Sequence, residues 1–354
     1  MTRTSSRISR RTVLGLAAGA LAGPWVRRLA HAAEVTLKLS HMLPPVSLAH
    51  RRMFQPWAER VGKASGGRIE VQIFPAMSLG GRPPDLVDQA RDGIADFSWA
   101  LPTYQAGRFP ILETWTLPFM ITTAERTAQA IDEYMRTHGK AEFDAVHPLA
   151  WWCHGPGLIM TRGKRVEKME DLRGVRVRGG NQVIVEALGL LGANAQFYPV
   201  PEVPSQLSKG TSDGVALPYE IVPAFKLHEL LDHFAEMEKG VRQFYTLPFV
   251  LLMNRKKYES LPDDLRKVID AHSGPALSRQ FGADFDFGDS FGRGLVEKAG
   301  RTFTTIPAAE VERWQARVAP LTAKWIEELN RRKLDGKALV DAANALLDKY
   351  AKAS

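Results

Sequence analysis

Residues Val175 to Gly192, VRVRGGNQVIVEALGLLG, carry a strand, a turn and a helix in succession. Val175 to Arg178 alternate as a strand does. Gly179 and Gly180 break the pattern, Asn181 stands where a helix N-cap belongs, and an apolar run follows until Gly192 closes it. A strand that feeds a helix in this way opens a βαβ unit. It also leaves Arg178 at the mouth of the strand, aimed at a helix N-terminus whose unpaired N–H groups and partial positive charge favour an anion.

Downstream, Ala195 to Val200 reads as a second strand, a short helix spans about Val203 to Ser208, and Gly214 to Leu217 makes a third strand. The same order occurs earlier in the chain. Val35 to Ser40 alternates, Leu48 to Ala64 has helical spacing, Arg68 to Phe74 alternates again, a short helix runs from Asp85 to Arg91, and Ala95 to Leu101 is the third strand. The closing signatures match: Gln89, Gly93 and Asp96 before Ala100-Leu101-Pro102, against Gln206, Gly210 and Asp213 before Ala216-Leu217-Pro218. Two such units predict an α/β protein of two similar lobes. In open α/β sheets ligands sit beyond the carboxyl ends of the strands, so facing lobes make a cleft. Beyond the second unit, Phe249 to Asn254 reads as another strand. A long helical tract runs from Asp263 to about Gly300 with an interruption at Ser273-Gly274-Pro275, and Glu310 to Asn330 and Ala338 to Ala351 are amphipathic helices.

The 354 residues suffice for two domains, and the composition, 45% hydrophobic and 24% charged, is that of a globular protein. The formal charge of +8 and pI near 9.5 invite a nucleic-acid reading that the location of the charge rejects. Arg3, Arg7, Arg10, Arg11, Arg27 and Arg28 lie in the first 32 residues with no acid; 47 bases less these six is 41, against 39 acids, a net of +2. A near-neutral body leaves no electrostatic footprint for nucleic acid. The same 32 residues combine a basic start, an apolar stretch from about Val13 to Val26 and a small-x-small pattern at Ala30 to Ala32, which reads as an export signal. Ser9-Arg10-Arg11-Thr12-Val13-Leu14 within it resembles a twin-arginine signal. The apolar run is shorter than the roughly 20 residues a membrane anchor needs. Cys153 is the only cysteine, so no intramolecular disulfide is expected.

Motifs for catalysis do not withstand inspection. Gly288-Asp289-Ser290-Phe291-Gly292 fits the nucleophile elbow of serine hydrolases, but it lies inside the helical tract and the last histidine, His272, precedes it. The nine histidines show no zinc spacing, and Gly179-Gly180 belongs to neither a dinucleotide fingerprint nor a phosphate loop. No cofactor, metal or catalytic residue is expected.

Arg178 could therefore clamp an anion through its planar fork, or could brace the lobe by pairing with Glu202 or Glu220; spacing leaves both open. A micromolar ligand needs roughly −8 kcal/mol, of which one charged hydrogen bond supplies about 1.5–3, so apolar burial has to supply the rest. Trp99, Trp151, Trp152, Val200 and Tyr219 are placed at strand ends and cleft loops to provide it.

The stretches LSHMLPPVSLAH, WAERVGKASGGRIEVQIFPAMSLGG, TLPFM, DLRGVRVRGGN, LGANAQFYPVPEVPSQLSKGTSDG and LPDDLRKVIDAHSG occur in an order that resembles the extracytoplasmic solute-binding receptors of tripartite ATP-independent periplasmic (TRAP) transporters, the DctP or C4-dicarboxylate receptor group. The resemblance implies a two-lobed periplasmic-binding-protein fold with a ligand cleft, strands exchanged between lobes and a long connecting helix. It implies a periplasmic receptor that is not an enzyme, that captures a small organic acid and that delivers it to a permease of small and large membrane subunits. It also implies that Arg178 forms the main salt bridge to the ligand carboxylate. The candidate ligand-binding set is Arg178 with His41, Met77, Trp99, Trp152, Asn181, Val200, Leu217 and Tyr219. The expected division is a signal over 1–32, a first lobe of 33–155 plus about 243–280, and a second of 156–242 plus about 281–354.

Two departures bear on the ligand. Where many members carry a second arginine entering the second lobe, this chain has Gly157, and where many carry asparagine before the proline of the DGxxNP strand end, it has Leu217. Loss of two polar contacts favours a monocarboxylate with an apolar or aromatic body over a dicarboxylate or sugar acid. A receptor for an ATP-driven importer and a two-lobed periplasmic enzyme are the competing readings; neighbouring permease genes would separate the first, and turnover of a bound ligand the second.

Overall fold

The computed structural model describes residues 33–352. The export-signal reading of 1–32 therefore lies outside the described residues. Eleven strands form among them: β1 Val35–Ser40, β2 Ile69–Phe74, β3 Phe97–Ala100, β4 Val146–Cys153, β5 Leu158–Thr161, β6 Arg176–Gly179, β7 Asn194–Phe197, β8 Gly214–Leu217, β9 His233–Met237, β10 Pro248–Asn254 and β11 Thr302–Ile306. They make two sheets, ordered β2-β1-β3-β10-β4 and β11-β9-β5-β8-β6-β7. Each sheet is the centre of one lobe.

The two units seen in the sequence form the parallel part of each sheet. In the first, β1 pairs with β2 and β3, linked by α1 (Gln55–Ala64) and α2 (Leu86–Arg91). After α3 (Ala124–His138) and the crossing to the second sheet, β6 pairs with β7 and β8, linked by α4 (Gln182–Leu190) and α5 (Val203–Ser208). The shared Asp has one job in both. Asp96 Oδ2 accepts a hydrogen bond from Lys38 N at 2.7 Å and Asp213 Oδ2 accepts one from Arg176 N at 3.0 Å, so a carboxylate at the start of the third strand ties down the first.

The chain passes between lobes repeatedly. β4 runs into β5 through residues 154–157, and β10 enters the first sheet antiparallel to β3 and β4 after the chain has left β9 in the second. These two crossings touch, because Gly157 N donates to Tyr245 O at 2.9 Å. The third crossing is α6 (Pro275–Lys298), 24 residues long. Its glycines permit close approach to both lobes: a Cβ on Gly282 would lie 2.6 Å from Ala124 O of α3, and one on Gly292 would overlap the carbonyl of Tyr219. Asp286 caps α3, accepting from Ala124 N and Glu125 N, and Asp289 one turn later accepts from Glu220 N at 2.8 Å. The apparent nucleophile elbow is this packing surface.

Beyond β11 come α7 (Ala308–Val318), α8 (Pro320–Arg331) and α9 (Gly336–Lys352). The single helix expected over Glu310 to Asn330 is broken at Ala319-Pro320, because proline cannot donate within a helix. α8 touches both lobes, through Lys324 to Glu186 and Trp325 Nε1 to Thr114 Oγ1. α9 returns to the first lobe, where Lys349 and Tyr350 both reach Glu133 of α3, although the sequence placed it with the second. An amphipathic pattern specifies that a helix has a buried face, not which lobe buries it.

Candidate functional site

The carboxyl ends of β3 and β8 face each other across a narrow cavity of about 40 Å³. Met42, Leu43, Trp99, Leu101, Tyr104 and Phe249 line it from the first lobe. Arg178, Val200, Leu217, Pro218, Glu220 and Ile221 line it from the second, and His154 and Leu247 come from the crossing strands. The wall is predominantly apolar.

Arg178 is brought there as the strand-turn-helix reading predicts. β6 carries it to the carboxyl end of the strand, and Asn181 caps α4, its Oδ1 accepting from Ile184 N at 3.0 Å. Asn181 is thus spent on the helix and does not line the cavity. The guanidinium is 1% exposed and donates Nε to Tyr198 O at 3.0 Å, Nη1 to Ala216 O at 3.4 Å and Nη2 to Tyr104 Oη at 3.3 Å. All three acceptors are neutral. Arg176 pairs with Asp213 and Arg293 with Glu236, whereas Arg178 enters no ion pair among the described residues, so neither Glu202 nor Glu220 braces it. A buried charge without a counter-charge is costly unless something supplies one.

Four of the nine sequence candidates line the cavity: Arg178, Trp99, Val200 and Leu217. The other five are nearby but occupied. His41 is fully buried, its Nε2 3.0 Å from His50 Nδ1, and desolvation, aided by His50, lowers its pKa to about 3, so it is neutral. Met77 is partly buried against the core at positive φ. Trp152 is fully buried and stacks behind Trp99 with ring centroids 6.2 Å apart, so it supports the wall without facing the cavity. Trp151 packs on the other side of β4 against Phe143. Tyr219 turns away and donates to Glu236 Oε1 at 2.7 Å, while Pro218 and Glu220 on either side face the cavity. Cys153 is buried and free, and burial pushes its thiol pKa far up, which suits a small packing residue.

Tyr104, His154, Leu247 and Phe249 were not singled out from sequence. Tyr104 had a signal: it follows Ala100-Leu101-Pro102 at the spacing with which Glu220 follows Ala216-Leu217-Pro218. Its hydroxyl crosses the cleft, accepting from Val200 N at 3.0 Å as well as from Arg178. His154 is buried next to the arginine; desolvation, with a smaller contribution from Arg178, holds its pKa near 3 and keeps it uncharged.

The departures noted in the sequence are visible as shape. A Cβ on Gly157 would overlap the ring of Tyr245, so an aromatic ring fills the space a side chain there would need, and Tyr245 Oη is committed to Ala216 O at 2.6 Å. Leu217 adds hydrocarbon to the wall. Two polar atoms of the lining are buried without partners, Trp99 Nε1 and Glu220 Oε2.

Comparison with known proteins agrees with this architecture. The model of bacterial extracellular solute-binding proteins, family 7 (DctP), matches residues 39–328. A TRAP solute-binding protein from Rhodoferax ferrireducens T118, solved with copurified benzoate, is 42% identical with a TM-score of 0.88, covering 90% of this chain and 99% of that one. A marine metagenome TRAP solute-binding protein specific for aromatic acid ligands, solved with 3-hydroxybenzoate, is also 42% identical with a TM-score of 0.88, covering 91% and 100%. A TRAP periplasmic solute-binding protein from Bordetella bronchiseptica, with bound mandelate, is 27% identical with a TM-score of 0.80 over 89% and 99%.

Proposed function

The chain belongs to the DctP family, the bacterial extracellular solute-binding proteins of family 7, and from that premise we propose that it is a receptor for aryl monocarboxylates, held by Arg178. Its function is that of a TRAP solute-binding protein: a periplasmic receptor that binds a small carboxylic acid without transforming it and hands it to the membrane permease. The finer reading concerns the site. The observation that carries it is a fully buried guanidinium that meets only neutral acceptors among the described residues and lines a largely apolar cavity. A ligand carboxylate supplies the missing counter-charge through a two-pronged hydrogen bond, and an aromatic body replaces water against Trp99, Leu101, Leu217 and Phe249. The 42%-identical proteins solved with benzoate and 3-hydroxybenzoate support that ligand class.

The lobes close on the ligand as two bodies. The first comprises 33–155 and about 243–280, joined by α9; the second comprises 156–242 and about 281–335, with α6 and α8 touching both. Tyr104 spans the cleft from the first lobe to Arg178 and Val200 of the second, so the contacts that complete the anion site are also contacts of closure. Binding energy then favours the closed state that the permease recognises. The twin-arginine pattern at Arg10-Arg11 would direct export.

Calorimetric titration with benzoate, succinate and malate tests the reading. Benzoate is expected to bind the wild type and to be lost in Arg178→Ala, with poor rescue by Lys, which lacks the fork. Tighter binding of succinate or malate than of benzoate would overturn the monocarboxylate class; unchanged affinity in Arg178→Ala would overturn the clamp.

A further inference from the structure

The cavity lining also holds Glu220, an acid that an anion-binding site would not be expected to hold. Its side chain is buried, 6% exposed, and Oε2 has no hydrogen-bond partner among the described residues. An unsatisfied buried polar group is destabilising, so a residue serving only to pack this wall would be better as leucine. The backbone holds it in place. Its N–H donates to Asp289 Oδ1 of α6 at 2.8 Å, and the helix comes so close that a Cβ on Gly288 would lie 2.8 Å from Glu220 Cβ. The side chain is therefore sandwiched between α6 and the cavity.

Resting on the aryl-carboxylate reading above, we propose that Glu220 is the specificity-determining residue that hydrogen-bonds a hydroxyl group on the ring of the ligand, so that this receptor selects hydroxylated aryl monocarboxylates over the bare aryl acid. Desolvation, reinforced by the neighbouring Asp289, pushes the Glu220 carboxyl well above the usual carboxylate range, which favours its neutral form beside an anionic ligand. A neutral carboxyl both donates and accepts, which matches a phenol hydroxyl on both counts. Trp99 Nε1, the other unpartnered polar atom of the wall, can only donate. A rigid ring with an acid at one end and a hydroxyl at the other can satisfy both Arg178 and Glu220.

The test is a set of calorimetric affinities for benzoate, 3-hydroxybenzoate and 4-hydroxybenzoate in the wild type, Glu220→Gln and Glu220→Leu, with folding checked by circular dichroism. The wild type is expected to bind at least one hydroxy isomer about tenfold more tightly than benzoate, the worth of one hydrogen bond. Glu220→Gln, a neutral group of the same shape that also donates and accepts, keeps that ratio within about threefold, and Glu220→Leu brings it near one. A wild type that prefers benzoate to both isomers, or a ratio that survives in a folded Glu220→Leu, would overturn the proposal. So would a Glu220→Gln variant that tightens all three acids together, since that would show an ionised Glu220 repelling them. If no aryl acid binds the wild type, the Arg178 reading fails first and the proposal falls with it; if they bind in an Arg178-dependent way without discrimination, only the Glu220 proposal fails.

Discussion

The two βαβαβ units are built alike and finished differently. Asp96 accepts from Lys38 N and donates its own N–H to Lys38 O, and Asp213 does the same with Arg176, which puts Ser40 and Arg178 at equivalent positions. In the first unit that position is closed upon itself: Ser40 Oγ donates to Gln89 Oε1 at 2.8 Å, Gln89 Nε2 donates to Gly80 O, and the next residue, His41, is engaged with His50. In the second, the equivalent glutamine, Gln206, lies at an α5 position and meets Thr211 instead, and Arg178 projects with no acid to meet it. The same scaffold thus makes a satisfied polar knot in one lobe and an unsatisfied charge in the other. Binding resides where satisfaction was withheld, because a group already paired internally has nothing to offer a ligand.

Making the second unit like the first is the strongest way to break this contrast. Arg178→Ser should weaken benzoate binding by about 100-fold or more, the loss of two charge-assisted hydrogen bonds, as read by calorimetry; a fall of less than tenfold would mean that the anion is held elsewhere. Tyr104 comes next, since its hydroxyl is the first unit's only hydrogen bond to Arg178. Tyr104→Phe should cost about tenfold in affinity while solution scattering shows the ligand-bound protein less fully closed.

The buried acids sharpen the comparison through pH. Asp289 behind the second unit has its pKa raised, chiefly by burial, to about 8 from an ordinary 3.8. Folding therefore retains a proton between about pH 4 and 8 that the unfolded chain releases. The stabilisation is complete below the lower value and disappears as pH rises through the upper one. Thermal unfolding from pH 5 to 8 should show the wild type losing stability relative to Asp289→Asn. Glu113 and Glu142, raised to about 7 mainly by burial, slope the same way but are present in both proteins. Parallel curves would refute a proton on Asp289. The smallest effect on the ligand is expected in the first unit: Ser40→Ala should cost about 1–2 kcal/mol in urea unfolding, by leaving Gln89 Oε1 without its donor, and change the benzoate affinity less than twofold.

Several features were legible because they are local. The strand at Val35 to Ser40, the helix at Val203 to Ser208 and the strand at Gly214 to Leu217 lie where alternation and helical spacing put them. The Asn181 cap and the break at Ser273-Gly274-Pro275 follow from short-range backbone chemistry. The strands β4, β5, β9 and β11 were not singled out. β4 and β5 in particular are buried along most of their length and show continuous apolar runs in place of alternation, as in LAWWC. At the site, Trp152 and Tyr219 were plausible by type and position but face away, since one residue's rotation on a strand or turn exchanges cavity for core.

Short-range pattern set the two units, their shared Asp signatures, the arginine at the end of β6, the bare backbone at Gly157 and the apolar side chain at Leu217, because each depends on residues near one another along the chain. Long-range packing settled that Arg178 meets no acid among the described residues, that Tyr104 reaches it across the cleft, that Tyr245 fills the space beside Gly157 and that Glu220 Oε2 is left unpaired among them. Those are facts about which distant groups share a desolvated volume, and hydrogen-bond satisfaction there is settled by packing between lobes that no local pattern encodes.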